Sequence, residues 1–142
     1  MRLFLDTNIL LDVLNENRDN HIDSATILKL AKEGYEDLVL SSQSVLDTYY
    51  LYSVSEKRPL EDFKCFLNEL LPIVEVAAIG EENLREAIRS SNKDFEDASQ
   101  IACAISSGCD CIISSDARMK RESQIKVHTP KEFCDRVFGP WH

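Results

Sequence analysis

Residues 3–14 read LFLDTNILLDVL, an apolar run that Asp6-Thr7-Asn8 interrupts before it resumes with a different period. Leu3-Phe4-Leu5 is short and wholly apolar, which predicts a buried strand, whereas the apolar residues of 9–14 recur at helical spacing. An acid between a strand and a helix is commonly a turn former or a helix cap, and Asp6 alone fits that interpretation. The stretch also places a carboxylate at the end of a buried strand, where ligands bind in parallel sheets.

The rest of the chain repeats this alternation of short apolar runs and helical patterns. Such alternation favours parallel pairing of the strands, with the connecting helices on both faces of the sheet. We therefore predict an α/β fold, a three-layer α/β/α sandwich around a central, mainly parallel sheet, built as a single domain over residues 1–142. Further strands are predicted near 38–40, 73–76, 111–113 and 127, and further helices near 24–32, 43–54, 59–71, 81–90, 95–107 and 131–137.

The composition is that of an ordinary soluble protein with a large excess of acidic residues. The formal net charge of −9 argues by itself against a nucleic-acid partner, because phosphates are neutralised by a positive surface. A concentrated carboxylate site that a divalent cation neutralises removes this objection. Five cysteines without a CxxC pair predict buried thiols in a reducing, cytoplasmic compartment. Neither a signal peptide nor an apolar run of about 18 residues is present, which predicts no membrane association.

Three further acids are candidates for the same site as Asp6. Asp116 follows the predicted strand 111–113, so it meets Asp6 if both strands are central and parallel. Asp97 lies on the apolar face of its predicted helix, where burial of an unpaired carboxylate is costly. Asp47 lies on or beside an apolar stripe, so its position alone is ambiguous. Four such carboxylates suit Mg²⁺ or Mn²⁺, which can activate water for phosphodiester hydrolysis.

The acids also stand in four motifs that resemble those of the PIN-domain family. Any one of the motifs is weakly specific, but the four occur in the family's order and together with a tail motif they cover nearly the whole chain. The matching segments are LDTNIL (5–10), SQSVLD (42–47), FEDA (95–98), IISSD (112–116) and the tail VHTPKEF (127–133).

The resemblance implies a parallel α/β/α sandwich that cleaves single-stranded RNA with Mg²⁺ or Mn²⁺. Many bacterial members of this size are toxins of VapBC-type toxin–antitoxin pairs, usually homodimers inhibited by a partner antitoxin. The resemblance assigns metal binding and catalysis to four carboxylates, those of Asp6, Asp47, Asp97 and Asp116. We further expect three polar residues to orient water or the metal ligands, namely Asn8, Ser115 and Asp94.

The chain departs from the family pattern at two places. The second acid is commonly Glu, and Asp47 is shorter by one methylene. Many members carry a further acid after the fourth motif, where this chain has a basic stretch containing Arg118, Lys120 and Arg121. This stretch has two interpretations, a solvated loop or a rim that holds RNA phosphates beside the metal.

Two other functions are compatible with parts of the sequence. An acid after the first strand also resembles the nucleophile of HAD-type phosphohydrolases, but these need a second Asp two residues on, where this chain has Asn8. A PIN-like binding module is the other alternative, and such modules have lost acids that this chain retains. Trp141, near the C-terminus, is a candidate contact for a partner protein.

Overall fold

Five parallel strands form the central sheet of the computed structural model, which describes residues 1–140. The order across the sheet is β3-β2-β1-β4-β5, so the first strand of the chain lies at the centre. All four neighbouring pairs are parallel. The carboxyl ends of β2, β1 and β4 therefore meet at one edge of the sheet. The strands are β1 (Arg2–Leu5), β2 (Asp37–Ser41), β3 (Val74–Ala77), β4 (Cys111–Ile113) and β5 (Lys126–His128).

Helices cover both faces of this sheet. The α-helices are α1 (Thr7–Leu14), α2 (His21–Lys32), α3 (Ser42–Tyr49), α4 (Leu60–Leu70), α5 (Glu81–Arg89), α6 (Phe95–Ser106), α7 (Ala117–Glu122) and α8 (Pro130–Phe138). A π-helical segment, Tyr50–Ser55, continues α3, and a 3₁₀ turn, Leu71–Ile73, continues α4. No helix of the described residues is long and apolar enough to cross a membrane.

The central strand shows why the fold has three layers. Side chains alternate along a strand, so Leu3 and Leu5 face one side of the sheet and Phe4 faces the other. All three are fully buried, the two leucines in a cluster with α1, α2, α4 and α8, and Phe4 in a second cluster with α6 and α7. The predicted three-layer α/β/α sandwich with a parallel sheet is confirmed.

Two segments differ from the predicted secondary structure. Residues 43–54 were expected to form one α-helix, but α3 ends at Tyr49 and the wider π-helical turns follow. These turns carry Tyr52 into a buried cluster with Leu11 and Phe63, and burial of the ring stabilises the unusual backbone. The basic stretch after Asp116 forms α7 rather than a loop, because Asp116 caps it and Met119 is buried beneath it.

The cysteines are all free thiols, as expected from their number and spacing. Four of them are buried, whereas Cys65 on α4 is exposed, so the expectation of burial is wrong for that residue. Trp141, the candidate partner contact, lies outside the described residues.

Candidate active site

Asp6 lies at the carboxyl end of the central strand and caps α1. Its Oδ1 accepts a hydrogen bond from the Thr7 N–H at 2.8 Å, and its Oδ2 accepts from Ser114 Oγ at 2.6 Å and from Asn8 Nδ2 at 3.3 Å. Burial raises the pKa of Asp6 and the charge of Asp116 adds to this rise, while the three hydrogen bonds oppose it. The protein therefore holds this carboxylate in one orientation at the edge of the sheet.

Asp97 lies in the first turn of α6, close to three other carboxylates. Its backbone N–H donates to Oδ1 of Asp94, the N-cap of the helix, at 2.9 Å. Its Oδ2 is buried and has no hydrogen-bond partner among the described residues. Burial raises the pKa of Asp97 to about 6, helped by the charges of Asp94, Asp116 and Asp6 in that order. Asp97 thus has an oxygen that is desolvated, unpartnered and surrounded by negative charge.

Asp116 caps α7 and shares a counter-ion with Asp94. Its Oδ1 accepts from the Arg118 N–H at 2.9 Å, and Nε of the same arginine lies 4.0 Å away. The Arg118 Nη2 also donates to Asp94 Oδ2 at 3.2 Å, and its charge lowers the pKa of Asp97. The predicted RNA-binding residue nearest the acids is therefore bound to two of them. Lys120 instead forms an ion pair with Glu132 at 2.7 Å.

Asp47 is half-buried on α3, and its acidic neighbour is Glu96 of α6. Its Oδ1 accepts from Gln43 Nε2 at 2.9 Å. Burial raises the pKa of Glu96, and the charge of Asp47 and a hydrogen bond between the two carboxyl groups raise it further. The charges of Asp94 and Asp6 act on Glu96 in the same direction, so the acidic group continues from Asp6 to Asp47 through this residue.

Glu96 and Ser114 are site residues that the sequence did not single out. An acid in the first turn of a helix favours the helix dipole, and Glu96 has that ordinary explanation. Ser114 becomes important only through strand register. Leu5 pairs with Ile113, so the next residue of each strand stands beside the other and the Ser114 hydroxyl reaches Asp6.

Ser115 and Asn8 contact one another rather than reaching the acids together. The Ser115 N–H donates to Asn8 Oδ1 at 3.5 Å, while the Ser115 side chain is exposed. Asn8 in turn donates to Asp6. Arg121, the third predicted RNA-binding residue, is exposed on α7. The structure thus brings Asp6, Asp94, Asp97 and Asp116 within electrostatic reach of one another, with Asp47 joined through Glu96.

A buried polar cluster fixes the elements that carry these acids. Ser44 Oγ, fully buried on α3, lies 3.0 Å from Thr7 Oγ1, 3.2 Å from Ser41 Oγ and 3.3 Å from Gln100 Nε2. Its partners belong to α1, to the end of β2 and to α6. One hydroxyl therefore ties together the helices that begin beside Asp6 and Asp97.

We expect Ser44→Ala to lower the free energy of unfolding by about 1–3 kcal/mol, because it leaves the part-buried hydroxyl of Thr7 and the buried amide of Gln100 without an acceptor. Urea denaturation followed by circular dichroism measures this change. Ser42→Ala, at an exposed position of the same helix, is the matched control and should change stability much less. Equal stability of the two variants would contradict the structural role of the cluster.

The residues at this edge fit a divalent cation in chemistry. Within residues 1–140, no group of three His, Cys, Asp or Glu side chains already stands arranged around one metal position. The donors are all carboxylate oxygens, the kind that Mg²⁺ and Mn²⁺ prefer, and the unpartnered Asp97 Oδ2 needs a positive neighbour. Asp6, Asp97 and Asp116 are the side chains that would hold such an ion.

Two comparisons concern the sequence. The family model for the PIN domain matches residues 2–118. A curated relative, "Ribonuclease VapC1" of Aquifex aeolicus, is 31% identical over 141 residues, which cover 95% of this chain and 94% of the relative.

Solved structures with a similar fold extend over almost the whole chain. VapBC2 from Rickettsia felis, bound to a DNA fragment from its promoter, has a TM-score of 0.67 at 18% identity, over 91% of this chain and 98% of that one. VapC20 of Mycobacterium tuberculosis, described as a sarcin-ricin loop cleaving toxin, has a TM-score of 0.68 at 16% identity, over 89% and 98%. FitAcB from Neisseria gonorrhoeae has a TM-score of 0.66 at 14% identity, over 90% and 97%. At these identities the likeness shows the fold alone.

Proposed function

This chain belongs to the PIN-domain family, and from that premise we propose that it is a metal-dependent endoribonuclease that hydrolyses phosphodiester bonds in single-stranded RNA. The observation that carries the proposal is the convergence of Asp6, Asp97 and Asp116 at one sheet edge around an unpartnered carboxylate oxygen. The 31% identity to a protein named as a ribonuclease supports the same chemistry.

Mg²⁺ or Mn²⁺ is the proposed cofactor. A divalent ion, when bound, supplies positive charge that lowers the pKa of water and stabilises charge on the phosphoryl group. The surrounding side chains hold the carboxylates in place in the absence of an ion. Ser114 and Asn8 hold Asp6 in place, and burial keeps Asp97 desolvated so that its charge acts through a low dielectric. Asp116 follows β4, the neighbour of β1 in the sheet, and caps α7.

Arg118 offsets part of the negative charge of the acids, which otherwise repel one another and an anionic substrate. Its guanidinium is bound to Asp94 and Asp116, which lowers the repulsion between them. Positive charge at this point also offsets the overall charge of −9 close to the RNA. We propose that Arg118, with Lys120 and Arg121 further along α7, forms the rim that contacts RNA phosphates.

The decisive experiment is cleavage of a fluorescently labelled single-stranded RNA by the purified protein, with Mg²⁺, with Mn²⁺ and with EDTA. Metal-dependent internal cleavage is expected, and p-nitrophenyl phosphate should not be hydrolysed. Turnover of this phosphomonoester would instead favour a HAD-like phosphohydrolase. Tight binding of RNA without cleavage under any metal would favour a binding module and overturn the nuclease proposal.

We expect Asp47→Asn and Glu96→Gln each to lower kcat/KM for RNA cleavage by about 10- to 100-fold, the range seen for residues that support metal ligands. The two carboxyl groups are joined by a hydrogen bond, so the double variant should lose less than the product of the single effects. Steady-state kinetics on the four proteins measures this coupling. Multiplicative losses would mean that the two acids act independently.

We also propose a protein antitoxin as the natural partner and a homodimer as the assembly. Leu46, Tyr50 and Val54 are spaced four apart on α3 and its π-helical continuation, and they are 61%, 58% and 45% exposed. An exposed apolar stripe of this kind is typical of a protein interface. Leu46→Lys should therefore convert a dimer to a monomer, as measured by light scattering coupled to size exclusion. A wild-type protein that is monomeric at tens of micromolar would contradict the dimer.

The cytoplasm is the proposed compartment. All five cysteines are free, four of them buried as neutral thiols, and burial raises the pKa of Cys109 and of Cys111 to about 11. Free thiols persist in a reducing compartment, where single-stranded RNA is also available.

A further inference from the structure

A cavity of about 380 Å³ lies next to the acidic edge, at the loop that joins α1 to α2. We call it the loop cavity, and it is lined by Asp12, Asn17, Arg18, Asp19, Asn20 and Ser115. Two hydrogen bonds connect it to the proposed active site, from the Ser115 N–H to Asn8 and from Asn8 to Asp6. A group bound in the loop cavity is therefore close to RNA positioned at Asp6.

Arg18 is held in this cavity by a buried carboxylate. Its Nε donates to Asp12 Oδ1 at 2.8 Å, and Asp12 is only 2% exposed. Asp12 Oδ2 also accepts from Ser24 Oγ at 2.9 Å, so the carboxylate is fixed in turn. The terminal amino groups of Arg18 make no hydrogen bond to the described residues, and the side chain is about one-third exposed. A guanidinium oriented in advance loses little entropy when it binds a ligand.

The charges of the loop cavity favour a neutral ligand over a phosphate. The positive charge of Arg18 is already offset by Asp12, and the exposed Asp19 adds a second negative charge. A phosphate at this place would meet net repulsion. The remaining lining consists of the two asparagine amides and Ser115, which donate and accept hydrogen bonds without charge. A nucleobase has this character, and single-stranded RNA presents its bases unpaired.

Guanine matches the two charged groups better than the other bases do. Its N1–H and N2–H₂ are adjacent donors that suit a carboxylate such as Asp19, and its O6 and N7 are acceptors that suit a guanidinium such as Arg18. Adenine, cytosine and uracil do not combine two adjacent donors with a neighbouring acceptor. We propose that the loop cavity binds a guanine base of the single-stranded RNA next to the scissile phosphate and so sets where the chain is cut. This inference rests on the proposed ribonuclease function.

The test uses ten-nucleotide oligouridylates that carry one guanosine, one inosine or one adenosine at the same position. Inosine lacks only the N2 amino group, so it removes a donor to Asp19 and keeps O6 and N7. Fluorescence anisotropy with Ca²⁺ reports binding, and gel mapping with Mg²⁺ or Mn²⁺ reports the position of cleavage. The wild-type protein is expected to bind the guanosine RNA about tenfold more tightly than either other RNA and to cut beside the guanosine.

Two variants separate recognition from folding. Asp19→Asn should abolish the preference for guanosine over inosine, and because Asp19 is exposed the fold should be unaffected. Its control is Asp37→Asn, which removes an exposed acid at the opposite edge of the sheet. Arg18→Gln should weaken binding of the guanosine and inosine RNAs alike by about tenfold, whereas Arg85→Gln on α5 should not.

The outcomes distinguish this inference from the function on which it rests. If the wild-type protein cleaves RNA but treats guanosine, inosine and adenosine equally, the guanine site is wrong and the ribonuclease stands. If Asp19→Asn keeps the wild-type preference, the assignment of Asp19 is likewise overturned. Competition by GMP as strong as that of the guanosine RNA would mean a free-nucleotide site and would also overturn it. A protein that neither binds nor cleaves RNA removes the proposed function itself.

Discussion

Replacing Asp97 by asparagine is expected to lower kcat for RNA cleavage at least about 100-fold at saturating metal. Changes in groups that merely support a metal ligand cost 10- to 100-fold, and Asp97 is placed to contact the ion itself. Its unpartnered Oδ2 is the oxygen that the asparagine amide replaces with a poorer ligand or a donor. Glu122→Gln, which removes an exposed acid at the end of α7, is the control and should cleave like the wild type.

The same variant should be more stable than the wild type when metal is absent. The pKa of Asp97 is raised from 3.8 to about 6 in the folded protein, so the folded state binds the proton more tightly than the unfolded chain does. The stability of the folded state therefore falls as the pH rises from about 4 to 6, and the full penalty remains above pH 6. Asparagine carries no such penalty, and with allowance for solvent screening the gain is about 1 kcal/mol.

Urea denaturation in EDTA at pH 7.5 and at pH 4 measures this prediction. Asp97→Asn should unfold at higher urea than the wild type at pH 7.5. The difference should shrink strongly at pH 4, where the folded wild type holds the proton and the unfolded chain holds it in part, because pH 4 is close to the unfolded pKa of 3.8. A variant that is less stable at pH 7.5 would show that the surroundings of Asp97 do not destabilise its ionised form. Loss of activity combined with a gain in stability separates a functional role from damage to the fold.

Wild-type protein should bind Mn²⁺ or Mg²⁺ in calorimetry, whereas Asp6→Asn/Asp97→Asn should bind at least about 100-fold more weakly. The two substitutions remove the oriented carboxylate of the central strand and the unpartnered one of α6. The site holds acids that raise one another's pKa, and removing two of them withdraws the charge that attracts the cation.

The matched control is Glu33→Gln/Asp37→Asn, which removes two exposed acids near the amino end of β2 and leaves the net charge equal to that of the double variant. This control should bind metal like the wild type. Equal weakening in both double variants would mean that binding reflects total charge, and the metal site would then be wrong. Stabilisation of the wild type by metal in a thermal scan, absent from Asp6→Asn/Asp97→Asn, gives an independent readout.

The layers of the fold could be predicted because they depend on patterns within short segments. Leu3-Phe4-Leu5 is apolar throughout, and such a run predicts a strand buried on both faces without information from the rest of the chain. Asp97 could be predicted as a site residue for a similar reason, since an acid on an apolar helix face needs a positively charged or hydrogen-bonding partner. In both cases the informative residues are neighbours along the chain.

The missed features depend on residues that are distant in sequence or on small energetic differences. Ser114 reaches Asp6 only because Leu5 pairs with Ile113, and no local sequence pattern predicts this strand register. The helix α7 has a single buried anchor, Met119, which is too little for a periodic signal. The π-helical turns after Tyr49 depend on packing of Tyr52 in a cluster formed by other helices.

The order of the strands in the sheet determines when the proposed site can assemble during synthesis of the chain. β1 is synthesised before β4 but pairs with it, so Asp6 and Ser114 meet only after the chain has been made as far as β4. Contacts so far apart in sequence form late and slowly. A nascent chain that does not yet include β4 therefore lacks the hydrogen bond that orients Asp6.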